Sequence, residues 1–160
     1  MRNNYSADIV NSIRGFLIDD DWKYTFDEEK GIFRFNLGFP RKVKKISFLI
    51  MVHEGSYTVY AVSPIGVEEN DAKMMAEMAE FVCRANYGLR NGNFELDVED
   101  GQIRYKSFVN CKGIIPSRAV VSNSVYVTAG MFKRYGKGII DILFSGANAK
   151  DAVYMCENSD

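Results

Sequence analysis

"WKYTFDEEKGIFRFNL", residues 22–37, is where the hydrophobic period of this chain changes. Upstream, Ile9, Ile13, Phe16 and Leu17 recur at helical spacing between Ser6 and Ile18, and Val10 widens the stripe, which predicts an amphipathic helix. Ser6 is placed to cap it, Asp8 suits the positive end of its dipole, and the acidic triplet from Asp19 to Asp21 ends it. From Trp22 the period becomes two. Trp22, Tyr24 and Phe26 alternate with Lys23, Thr25 and Asp27, and Phe33, Phe35 and Leu37 alternate back after a polar turn. Gly31 can take the positive φ that such a turn needs.

The pattern returns further along. "DEEKGIFRF" (residues 27–35) is echoed by "DVEDGQIRY" (residues 97–105), aligning Asp27 with Asp97, Gly31 with Gly101 and Arg34 with Arg104. Each copy reads as strand, acidic turn, glycine, strand, with an arginine on the returning strand placed for cross-strand charge pairing. Glu95 and Asp97 opposite Arg104 and Lys106 illustrate it. Both copies follow a helix. Shared hairpin grammar accounts for the echo, and an old helix–hairpin duplication is the alternative.

Between the copies, "ISFLIMVH" (46–53) and "SYTVYAVS" (56–63) form a second hairpin across Glu54 and Gly55, so four antiparallel strands are expected between residues 22 and 63. A helix opening near Asn70 or Asp71 runs to about Tyr87, with Met74, Met78, Phe81, Val82 and Ala85 on one face. From Ser117 another helix should reach about Arg134, break at Gly136 and Gly138, and resume through "IIDILF". A last short helix follows. The chain therefore predicts one α+β domain over residues 1–160, a mainly antiparallel sheet with flanking helices in the order α-ββββ-α-ββ-α(α).

Composition narrows the function classes. Apolar residues make up 47% and charged residues 26% of 160, as in ordinary globular proteins. The net charge of −1 supplies no overall field for nucleic acid or an anionic membrane. The longest aliphatic or aromatic run, "FLIMV" at 48–52, is too short to span a bilayer, and no signal-peptide core opens the chain. A cytoplasmic location is expected. Cys83, Cys111 and Cys156 are scattered and odd in number, and one histidine cannot complete a zinc set with them. No metal and no cofactor are expected.

Catalytic constellations fare no better. A nucleophile–histidine pair must use His53, the sole histidine, which sits beside a turn. The carboxylate pairs Asp27 with Glu29, Glu68 with Glu69 and Asp97 with Glu99 fall in turns or on wet faces, where the desolvation that a catalytic carboxylate needs is not expected. "GMFKRYGKG" (130–138) lacks the glycine spacing and hydroxyl residue of a phosphate loop. The basic cluster Arg41, Lys42, Lys44 and Lys45 lies in a connection between hairpins, where it protects a strand end, with an acidic protein partner as the alternative.

One segment is apolar on both faces. Ile46, Phe48, Ile50 and Val52 take one side of their strand while Leu49 and Met51 take the other, and Val59 and Ala61 are likewise opposed by Tyr60 and Val62. A sheet packed on one face should be polar on the other. Leu49, Met51, Tyr60 and Val62 are therefore expected to form one patch covered either by the C-terminal helices or by a second molecule.

The element order, together with "NGNFELDVEDGQIRYKSFV" (91–109) and "IIDILFSGANAKDAVYMCE" (139–157), resembles the YbjN-type domain, a bacterial family assigned to sensory-transduction regulation. That family shares its fold with type III secretion chaperones. The resemblance brings no catalytic residues and implies a dimerising or protein-binding module. The function expected is thus a non-enzymatic, chaperone-like interaction domain, homodimeric, with an unidentified protein partner. The alternative is a small hydrolase or ligand-binding domain using a pocket near His53.

Overall fold

The period change at Trp22 is also a boundary in space. In the computed structural model, which describes residues 4–38 and 45–159, helix α1 (Ala7–Asp19) ends where the acidic triplet stands, and Asp21 turns the chain with φ +55°. The Ser6 hydroxyl accepts from the Ile9 amide at 3.3 Å, and all five apolar stripe residues of α1 are buried. Strands β1 (Tyr24–Asp27), β2 (Ile32–Gly38), β3 (Lys45–Val52) and β4 (Ser56–Val62) follow as a meander. Helix α2 (Ala72–Asn86), capped by Asp71, leads to the hairpin β5 (Asn93–Leu96) and β6 (Ile103–Asn110). Helices α3 (Arg118–Ser145) and α4 (Ala149–Asn158) complete the chain.

The strands form one antiparallel sheet in the order β1-β2-β3-β4-β6-β5. The two echoed hairpins therefore sit at its opposite edges. Their turns are built alike. Asp27 Oδ1 accepts from the Glu29 and Lys30 amides at 3.1 Å, and Asp97 Oδ1 accepts from Glu99 at 2.9 Å. Gly31 and Gly101 both take positive φ, +66° and +72°, and each donates its amide back to the aspartate carbonyl at 2.8 Å. The charge pairing is not duplicated. Glu95 meets Arg104, but Arg34 stands opposite Thr25 and makes no ion pair among the described residues. Two hairpins thus share turn grammar, not a site.

Inward-facing Phe33, Phe48, Ile50, Val59, Ala61 and Tyr105 join the buried stripes of all four helices in one core. The buried Tyr57 phenol links β4 to α3 through the Ser124 hydroxyl at 3.0 Å, and burial pushes its pKa up to about 12. α3 differs from expectation. It runs unbroken through Gly136 and Gly138 for 28 residues and ends at Gly146, whose φ of +69° is the left-handed cap. Gly138 marks a close approach of helices: a Cβ there would lie 2.7 Å from the Phe81 ring on α2 and 2.8 Å from Cys156 Sγ on α4.

Gly138→Ala is accordingly expected to lower the urea-unfolding free energy by about 1–3 kcal/mol, overriding alanine's better helix propensity. Gly130→Ala on the same helix meets nothing within 4 Å and should raise it by roughly 0.5–1 kcal/mol.

Candidate functional site: the open face of the sheet

All four helices contribute their buried stripes to the same core, so the outward rows of the sheet carry whatever else the protein presents. The register sets those rows. One runs Thr25, Arg34, Leu49, Tyr60, Lys106, Asn93 from edge to edge; its neighbours are Asn36, Ser47, Val62, Arg104, Glu95 and Ile32, Met51, Thr58, Phe108. Leu49, Met51, Tyr60 and Val62 do share one face, and Leu49 pairs directly with Tyr60. Each is half-buried, and none belongs to the helix-covered core or to the fringe packed on it. α3 and α4 lie on the opposite face, with Phe132 against Phe94 and Ser124 against Tyr57. The C-terminal helices are therefore not what covers the patch.

Charge borders the apolar centre on both sides. On the β6 side, Glu95 Oε2 accepts from Arg104 Nε at 2.7 Å and Glu95 Oε1 from Lys106 Nζ at 2.8 Å. Burial raises the Glu95 pKa, but the hydrogen bonds and charges of Lys106 and Arg104 outweigh it and hold the carboxyl below its usual range. The Glu95 hydrogen bond and charge push Lys106 upward. Arg104, so held, places its guanidinium carbon 4.5 Å from the Tyr60 ring centroid. Sequence reasoning found Glu95 and Arg104 because they face each other within one hairpin. The contact to Tyr60 depends on β4 lying beside β6, which no local pattern announces. Phe108, 56% exposed at the end of its row, was missed for the same reason.

On the β2 side, a shallow hollow of about 520 Å³ opens beside Leu49 and Val62, with Lys23, Arg34, Asn36 and Ser47 in its wall. Lys45 is exposed where β3 begins; Arg41, Lys42 and Lys44 of the basic cluster lie outside the described residues.

The catalytic candidates are dispersed. His53 is exposed at the end of β3, and its backbone serves the fold, the carbonyl accepting from the Ser6 amide at 3.2 Å and the amide donating to Ser56 at 2.9 Å. Five surface hollows among the described residues are lined by other segments, and the alternative of a pocket near His53 gains no support from them. Glu29, Glu68, Glu69, Asp97 and Glu99 are exposed. Among the described residues, no three metal-ligating side chains gather and no helix is long and apolar enough to cross a membrane. The three cysteines are free thiols.

The architecture defines an α+β domain whose antiparallel sheet is covered by helices on one face. A solved structure of this kind is YbjN from E. coli, described as "a putative transcription regulator", which superposes with a TM-score of 0.56 over 76% of this chain and 84% of that chain at 10% identity. The chain has the YbjN-type fold. No family model matches the sequence, and no curated protein does.

Two outcomes follow for the face. Because the Glu95 pKa is lowered, its contribution to stability is present above the ordinary carboxylate range and lost as the pH falls through the folded-state value. Glu95→Gln should therefore cost about 0.5–1 kcal/mol in urea unfolding at neutral pH, a small figure because the pair is partly exposed, and the difference should shrink as the pH falls below the ordinary carboxylate range. His53→Ala, by contrast, should leave stability within about 0.5 kcal/mol of the wild type.

Proposed function

We propose that this chain is a non-enzymatic protein-interaction domain of the chaperone-like, regulatory class, cytoplasmic, and that its open sheet face is the contact surface. One observation carries the reading: four helices are committed to one side of the sheet while Leu49, Met51, Tyr60 and Val62 stand together on the other. Taking an average Leu or Met from full exposure to full burial is worth roughly 1.5–3 kcal/mol, and these half-buried side chains have part of that still to gain. A patch of this kind stabilises a complex more than it stabilises the free chain. The description of YbjN as a regulator supports the class. The homodimer expected from the sequence is the form of this reading in which a second copy occupies the face.

Met51→Asp tests it against Ile50→Asp. Met51 is half-buried outside the core, so its variant should keep the wild-type circular-dichroism spectrum while losing whatever protein the wild type retains from a cytoplasmic extract, or, if self-association occupies the face, falling to monomer in light scattering. Ile50 is 0% exposed and faces the helices, so placing a charge there should unfold the domain. A folded Met51→Asp protein with unchanged partners and unchanged oligomeric state refutes the proposal.

A further inference from the structure

The charges around the open face select its occupant. Arg34 and Lys45 are exposed and make no ion pair among the described residues, and Arg104 and Lys106 share the single carboxylate of Glu95. Asp27, the other acid on an outward row, turns a carboxylate oxygen to two turn amides. In the wall of the hollow beside Leu49 and Val62, the charged side chains are Lys23 and Arg34, with no carboxylate. The strand residues of the face therefore carry four cations against two acids, in a chain whose net charge is −1. The balance on this face is positive although that of the whole chain is negative.

Self-association meets that charge directly. Two copies packed face to face are related by a two-fold axis lying between the sheets. With the axis along the strands, Arg34 of one copy faces the Arg104 and Lys106 flank of the other. With the axis across the strands, Arg34 faces Arg34. Either way cations oppose cations, an arrangement that selects against the pairing. Nucleic acid would answer the charge but not the centre. Leu49, Met51 and Val62 are aliphatic, Arg104 already covers one side of the Tyr60 ring, and the exposed Phe108 stands apart at the end of its row, so the centre offers no run of stacking rings.

Building on the interaction reading above, we infer that the open face receives an acidic, apolar segment of another protein. Its apolar side chains lie on Leu49, Met51 and Val62, and its carboxylates reach Arg34 and Lys23 across the hollow and Lys45 at the strand end.

A display library of random short peptides, selected on the wild-type protein with folded Met51→Asp protein as the counter-selection, tests this. The peptides enriched should combine apolar residues with net negative charge. A synthesised winner should bind more weakly as salt is raised, and should lose about tenfold or more in affinity to the charge-reversed variant Arg34→Glu/Lys45→Glu. Both positions are exposed, so that variant should keep its fold by circular dichroism. Neutral or basic winners, or an affinity unchanged by charge reversal, overturn the acidic partner while leaving an interaction face in place. Enrichment no different on Met51→Asp overturns both readings. A wild-type dimer that Met51→Asp splits assigns the face to a second copy instead. Random-sequence single-stranded DNA that binds more tightly than the acidic peptide, and is lost on charge reversal, assigns it to nucleic acid.

Discussion

Phe48 stacks on Phe35 with ring centroids 5.1 Å apart and planes 9° from parallel, and beside it Ile50 is enclosed between Phe33 and Val59 on neighbouring strands. This inward row is the constraint on which everything else rests. Strand side chains alternate strictly, so a slip of one residue would exchange the two faces entirely. With Ile46, Phe48, Ile50 and Val52 all buried against the helices, Leu49 and Met51 have no freedom to be anywhere but outside. The open face is thus a by-product of core packing, and its chemistry is whatever the intervening positions carry.

The asymmetry of the layers follows from how the helices are held. α3 packs against β4 through Tyr57 and Ser124, and against the β5–β6 hairpin through Phe132 and Phe94. Its second half is clamped by α2 and α4, where Gly138 allows the Phe81 ring and Cys156 to approach. Tyr135 on the same segment donates its hydroxyl to Glu157 of α4 at 2.7 Å. Arg118 at the start of α3 also pairs with Asp19 at the end of α1 at 3.2 Å, and four helices so joined form one slab, which covers one side of a sheet.

What was legible in the sequence was whatever is local. The α1 stripe, the strand alternation and the glycine turns rest on contacts between near neighbours, and each appears where the pattern puts it. The common face of Leu49, Met51, Tyr60 and Val62 was legible for the same reason, since the short turn at Glu54 and Gly55 makes their strands partners. The continuity of α3 was not. Gly136 and Gly138 read as a break by propensity alone, but the packing of three helices overrides a cost of about 1 kcal/mol per glycine. Nor could periodicity say which side of the sheet the C-terminal helices would choose, which rests on long-range packing, or that Arg104 would lie over Tyr60, which depends on β4 pairing with β6.

That pairing has a consequence for synthesis. Tyr57 aligns with Val109 and Val62 with Arg104, so the middle of the sheet closes only after α2 and the β5–β6 hairpin have been made. α3, which supplies Val121, Val125 and Phe132 to the core, follows later still. While the chain grows, α1 is the one of the four described helices already made when the β2–β4 meander appears with its inward aromatics. Non-local closure of this kind slows folding and prolongs the exposure of apolar surface. For an interval set by translation, the nascent chain shows water two apolar sheet faces, and completion of the domain leaves it with one.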